Sequence, residues 1–390
     1  MANRLPLLLT TLMALSAACG PSQAAKPSPA ITASPTASTT PSLAPCAEQM
    51  FATMTEAQRV GQLFLLGLTN DQLGPAERQA IQADHIGSVW FVDRTQAGVA
   101  GIRTVSDAVQ QQAGPATAGV RFFVAANQEG GITQALHGPG FSEMPSALTQ
   151  GSLDPATLQA RALSWGQQLQ AAGVNLNFAP VLDVVPPGTD AQNQPIGALQ
   201  REYGHDPATV GAHGVAVLLS LRQAGVATTL KHFPGLGRVA GNTDYTTATD
   251  TVTTSTDPFL QSFVQGIAAN ADFVMVALAT YTRIDAGRLA VFSPIVMRDL
   301  LRGTLGYQGV IVSDDLGATA AVAGIPPGTR AIDFLNAGGD MIISKTAAAT
   351  LSMVQAIRAR EATDPGFTTR VDDAALRILR VKQVHGLLPC

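Results

Sequence analysis

What most constrains this chain is an alternation that runs from residue 62 to residue 344. Short apolar runs recur at Gln62–Leu68, Ile86–Val92, Phe122–Ala126, Val174–Val181, Val226–Leu230, Phe273–Ala279, Gly309–Ser313 and Asp340–Ser344. Their lengths and their Val, Ile, Phe and Leu content fit buried strands. Between them, Pro155–Ala172, Pro207–Gln223, Asp257–Ala269 and Pro294–Gly303 have helical spacing. Asp154–Pro155 and Asp206–Pro207 are helix-start pairs, and Gly173, Gly225 and Gly303 are stops. Strands alternating with helices pair in parallel through right-handed crossovers. Eight such units in about 340 residues predict an α/β fold, a single-domain (β/α)8 barrel of the TIM type over residues 46–390. A doubly wound open sheet is the competing architecture. It calls for a Gly-rich phosphate turn after its first strand, and no G-x-G-x-x-G or Walker loop follows any of the eight runs. Nothing after Ser344 suggests a second domain; Ala348–Arg360 and Val371–His385 read as closing helices.

The first 45 residues stand apart from this pattern. Arg4 precedes an apolar run, Leu5–Leu15, then Ser16, Ala17, Ala18 and Cys19. This resembles a bacterial lipoprotein signal over residues 1–18, with lipid on the Cys19 thiol, although Ser16 stands where an aliphatic residue is usual. The run is short for a membrane span. One lipidated Cys would hold the protein at a membrane surface without crossing it. Plain secretion with Cys19 removed is the alternative. Residues 19–45, rich in Ala, Pro, Ser and Thr, cannot bury enough surface to order themselves and read as a tether. The expected location is therefore extracytoplasmic. There a disulfide is permitted, and Cys46 and Cys390 lie at the two ends of the fold. In a closed barrel first and last elements are neighbours, so a Cys46–Cys390 disulfide is expected.

Composition excludes some partners. The net charge is −4 with no basic cluster, and there are only four Tyr and two Trp, so nucleic acid is not expected. No cofactor is called for. A metal site is not expected, because the six His form no close ligand pair and no H-E-x-x-H occurs. The three Cys lie at or near chain or fold ends, and no G-x-S-x-G elbow is present, which argues against a thiol or serine nucleophile. A monomer is favoured.

In a barrel of this type the chemistry sits at the C-terminal strand ends. Those ends deliver Asn127, Gln128 and Glu129 after the third run, and Asp183 with a long loop reaching Arg201 after the fourth. The fifth delivers Lys231 and His232, and the seventh Asp314 and Asp315. Lys and His at the end of a buried strand need polar or charged company. Asp314 is a candidate nucleophile, general base or ligand. Strand alternation turns Asp315 the other way, towards neighbouring loops. Carboxylates with Lys, Arg and His around them suit a neutral polyhydroxyl substrate, and paired carboxylates are the usual means of glycoside cleavage.

The runs NQEGG (127–131), NFAPVLDV (177–184), KHFPG (231–235) and VIVSDDL (310–316) together resemble glycoside hydrolase family 3. The likeness is to its single-domain bacterial β-N-acetylglucosaminidases, which act on peptidoglycan fragments, and it covers about residues 54–385. It implies a retaining, two-step mechanism with Asp314 as the nucleophile that forms a covalent glycosyl-enzyme. It implies that Lys231, His232 and Arg201 hold hydroxyls of the terminal sugar, and that Asn127 stands where the family commonly has a sugar-gripping Asp.

The chain also departs from the pattern. After KHFPG the family carries a His-Gly pair and then an Asp-Ser-His triplet whose His is the acid/base. Here those positions hold Leu236–Gly237 and Asn242, Thr243, Asp244. The expected acid/base is therefore Asp244, its pKa raised by burial or by Asp314, with Asn242 orienting it and Asp250 as a weaker candidate. Otherwise Asp244 only caps a turn. Leu278 replaces a common His and Ile132 a common Arg. The function expected is an exo-acting retaining β-N-acetylglucosaminidase working on GlcNAc-containing glycans. A β-glucosidase or β-xylosidase of the same family, or a non-catalytic cell-wall glycan-binding lipoprotein, is the alternative.

Overall fold

The computed structural model describes residues 45–390. The expected signal peptide, Cys19 and all of the expected tether except Pro45 lie outside the described residues. Eight strands form one sheet: β1 (Phe64–Leu68), β2 (Ser88–Phe91), β3 (Phe123–Ala126), β4 (Leu176–Asn177), β5 (Ala227–Phe233), β6 (Phe273–Val276), β7 (Val310–Ser313) and β8 (Ile342–Ser344). Neighbours run β7–β6–β5–β4–β3–β2–β1–β8, and every pairing is parallel. The ring is closed between its ends. Val312 bridges Met341 in parallel, and the amides of Ser313 and Leu316 donate to Met341 O and Ile343 O, both at 2.9 Å. The expected barrel is present. Every residue of these eight strands is buried, because helices cover the outside while side chains fill the inside.

Several boundaries differ from expectation for identifiable reasons. The fourth run pairs as a strand only at Leu176–Asn177, since Pro180 has no amide hydrogen to donate. The fifth strand runs on to Phe233, so Lys231 and His232 belong to it and are buried rather than following it. The sixth stops at Val276. Beyond it, Thr280–Tyr281 joins Thr249–Asp250 and Asp285–Leu289 in a small separate sheet. Pro294–Gly303 is realised as a wide, π-type helix at Ile295–Thr304. The last helix begins earlier, at Pro365, because the Asp364 carboxylate caps it by accepting the Phe367 amide at 3.1 Å.

Two ionic fixtures hold the closing helix Pro365–Val384 to the barrel. Asp340, fully buried just before β8, receives Arg302 at 2.5 Å, Arg370 at 2.8 Å and Arg377 at 3.0 Å, and its Oδ2 also accepts the Ile311 amide. Lys382 donates all three N–H groups, to Gln62 Oε1, Gly87 O and Arg121 O, at 2.7, 2.7 and 3.0 Å. The first helix, Cys46–Thr53, lies against the last. Gln383 Oε1 accepts the Ala47 amide, and Arg380 pairs with Glu48. Cys46 and Cys390 are disulfide-bonded with Cα atoms 6.0 Å apart, as expected.

Candidate active site

The mouth at the C-terminal strand ends opens into a cavity of about 780 Å³. Asn127, Arg201, Lys231, His232, Asp244 and Asp314 all line it. Six residues spread over 188 positions of chain are thus brought to one place. A second cavity, of about 670 Å³, lies beside the small sheet between Arg288, Arg298 and Asp333 and has no carboxylate pair.

The floor is built around Glu129. Its carboxylate takes two bonds from Arg201 (Nε and Nη2, both 2.8 Å) and an ion pair from Lys231 Nζ at 2.5 Å. Lys231 Nζ also donates to Asn127 Oδ1 at 2.9 Å. Burial works against the Glu129 carboxylate, but Arg201 and then Lys231 overcome it and hold it at about 2. Burial also pulls the Lys231 ammonium down, with Glu129 opposing. One buried anion therefore serves two cations. The turn that aims Glu129 needs Gly130, which has φ +106°; a Cβ there would sit 2.2 Å from Pro145 O.

Asp183 fixes His232. Its Oδ2 lies 2.7 Å from His232 Nδ1, and its Oδ1 accepts the amides of His232 and Leu236 at 3.2 and 2.7 Å. Held by Nδ1, the ring leaves Nε2 3.5 Å from Arg201 Nη2. Glu129 and Asp183 are the residues whose importance sequence reasoning missed. Both follow strands, three residues after β3 and six after β4, but a carboxylate that braces a cation has the same local sequence as one that meets substrate.

Asp314 follows β7; its own Oδ1 accepts the Asp315 amide at 2.8 Å. Asp315 also lines the mouth, so the expected turn away from it is not seen, but its carboxylate is committed to neighbouring loops. It accepts the amides of Gly317 and Lys345 on Oδ1 and of Ala318 on Oδ2, so it ties two strand-end loops together.

Asp244 sits on the loop after β5. That loop is docked onto the one after β7 by the Ala320 and Ala321 amides, which donate to Asp244 O and Thr243 O at 3.2 Å. The residue is open to solvent, yet its carboxyl is pushed up, first by the water it loses in the mouth and then by the negative field of Asp314. Asn242 does not touch the carboxyl. Its Oδ1 accepts the Asp244 amide at 3.0 Å, which shapes the turn instead. Asp250 is excluded as an alternative. It is buried on the small sheet, accepting the amides of Val252 and Thr253 and the Thr253 hydroxyl, and does not line the mouth. Ile132 is half exposed on the cavity wall, whereas Leu278 is buried.

Two carboxylates and a cationic floor lining one mouth of a parallel barrel are an arrangement suited to glycoside cleavage. The comparison with known proteins agrees and narrows the class. Residues 55–381 match the glycosyl hydrolase family 3 N-terminal domain, and the chain belongs to that family. A β-hexosaminidase from Stenotrophomonas maltophilia is 33% identical over 292 residues, 72% of this chain and 82% of the relative. The crystal structure of a β-N-acetylhexosaminidase from Beutenbergia cavernae superposes with a TM-score of 0.84 at 46% identity, covering 85% of this chain and 99% of that one. A family 3 β-N-acetylglucosaminidase from Paenibacillus has a TM-score of 0.77 at 29% identity, covering 86% and 63%.

Proposed function

We propose that this chain, a β-N-acetylhexosaminidase of family 3, releases terminal β-linked GlcNAc from peptidoglycan fragments by a retaining mechanism. The observation that carries the reading is that Asp314 and Asp244 share one cavity with Asn127, Arg201, Lys231 and His232. The cationic floor and Asn127 hold hydroxyls of the terminal sugar. Asp314 attacks the anomeric carbon, the glycosidic C–O bond breaks, and Asp244 gives its proton to the leaving oxygen. Water then attacks the glycosyl-Asp314 ester while Asp244 takes a proton back. The raised Asp244 carboxyl suits the acid step, because a larger fraction of it keeps its proton at a given pH than of an ordinary Asp.

The site of action we propose is extracytoplasmic, at a membrane surface through lipid on Cys19. The Cys46–Cys390 disulfide supports an oxidising compartment. No helix among the described residues is long and apolar enough to cross a membrane. Mass spectrometry of the mature N-terminus reads the lipid directly; an unmodified N-terminus downstream of Cys19 would replace the anchor with secretion.

The test uses aryl β-N-acetylglucosaminide and aryl β-glucoside with wild type, Asp314→Asn and Asp244→Asn. Wild type prefers the N-acetyl sugar, and Asp314→Asn loses at least about 10³-fold. Asp244→Asn loses roughly 10²-fold or more on poor leaving groups, little on nitrophenyl, and loses the alkaline limb of kcat/KM, since that limb is Asp244 giving up its proton. Binding of GlcNAc without turnover by wild type would falsify the enzymatic reading and leave a glycan-binding protein.

A further inference from the structure

The loop that delivers Arg201 to the sugar site contains a second cluster. Asp190, Glu202 and His205 each bring one ligand atom to within 4.8 Å of the others, and this is the one such group among the described residues. Glu202 is fully buried, and neither of its carboxylate oxygens has a hydrogen-bond partner; Asp190 Oδ1 is likewise buried and unpartnered. A buried carboxylate with no donor is strongly disfavoured unless something cationic meets it. The adjacent Arg201 offers no relief, because its guanidinium is spent on Glu129 and on Pro195 O. Among the described residues no Lys or Arg pairs with the cluster, and His205 is the one member that can carry positive charge.

The donor set says which cation fits. Two carboxylates and one imidazole suit a first-row divalent ion better than magnesium or calcium, which favour oxygen alone. The side chains of Asp190 and His205 are each about one-third exposed, at 36% and 34%, which leaves a path in from solvent. His205 Nδ1 lies 3.6 Å from Asp190 Oδ1 and 3.2 Å from Val185 O, so the ring is already held against the pocket. We infer that Asp190, Glu202 and His205 bind a divalent cation of the zinc or manganese class, which locks the loop carrying Arg201 beneath the sugar. The lock reaches further. Gly197 packs against Asp190, with no room for a Cβ, and Asn193 donates to Leu236 O and Val239 O, joining this loop to the one that bears Asp244. The site departs from the expectation of no metal because its ligands sit 12 and 3 positions apart on an irregular loop, where no spacing motif marks them.

The experiment strips the full-length protein with chelator and titrates Zn²⁺ into wild type, Glu202→Gln, His205→Ala and Asp314→Asn. It reads bound metal by elemental analysis and Tm by scanning. Wild type and Asp314→Asn take up one equivalent per chain and gain several degrees in Tm. Glu202→Gln, an isosteric change, loses both responses, and His205→Ala binds at least about tenfold more weakly. In wild type KM for the aryl N-acetylglucosaminide rises severalfold on stripping and recovers with Zn²⁺. Three results overturn the inference. One is no stoichiometric binding, as a proton shared between Glu202 and Asp190 would give. Another is a Tm response undiminished in Glu202→Gln, which places the ion elsewhere. The third is an unchanged KM, which removes the locking role.

Discussion

At the scale of single residues the site depends on Glu129. Its carboxylate pairs with both Arg201 and Lys231 and so lets them sit side by side in a buried floor. Its carboxyl is held near 2 against an ordinary 4.5, so the stability it confers is complete above about pH 4.5 and is lost as pH falls towards 2. That difference corresponds to on the order of 3 kcal/mol. Glu129→Gln should therefore lower stability at pH 7 by about that amount and flatten the acid side of the stability curve. It should also raise KM, because the two cations would repel one another out of position. Urea titrations at pH 3 and pH 7 measure the first effect, and an equal loss at both would contradict it. The Lys–His pair was legible in the sequence, since cations on a buried strand demand partners. Which carboxylates answer them was not, because Glu129 and Asp183 reach them across strands.

At the scale of elements, helix ends were legible wherever a local side chain decides them, as Asp154 and Asp206 do by accepting amides three residues on. Strand ends were not, because a strand lasts only as long as its neighbours pair with it. β5 outlasts its apolar run because Glu129 and Asp183 neutralise its last side chains; β4 falls short of its run at Pro180. Asp340 is the comparable fixture at the opposite end of the barrel. It gathers arginines from the π-type helix and from the closing helix onto the base of β8. Asp340→Asn should cost roughly 3–5 kcal/mol, since it strands three cations around a buried neutral group. Catalytic rate at low temperature should be nearly unchanged, because Asp340 lies far along the strand from the mouth. A thermal scan that barely moves would show that the arginines find other partners.

For the whole molecule, the Cys46–Cys390 bond closes a loop of 344 residues in a barrel that is already closed by Val312 and Met341. Chain-entropy arithmetic gives on the order of 5 kcal/mol for a loop so long, as an upper bound. Reduction, or Cys390→Ser, should lower stability towards that limit while leaving the active site assembled, since neither Cys46 nor Cys390 lines the mouth. Equal denaturation midpoints with and without reductant would remove the disulfide from the stability account. The barrel itself was written in the sequence, because eight strand–helix alternations leave one economical way to bury every strand on both faces. Asp314, Lys231, His232 and the two cysteines followed from that pattern, since strand ends and chain ends map onto known places in a barrel. Only the tertiary structure decided that Asp244 shares the mouth with Asp314 while Asp250 does not, that Glu129 carries the floor, and that Glu202 is buried without a partner. Those facts depend on distances between loops far apart in the chain, and the local sequence of a loop holds no record of what it will face.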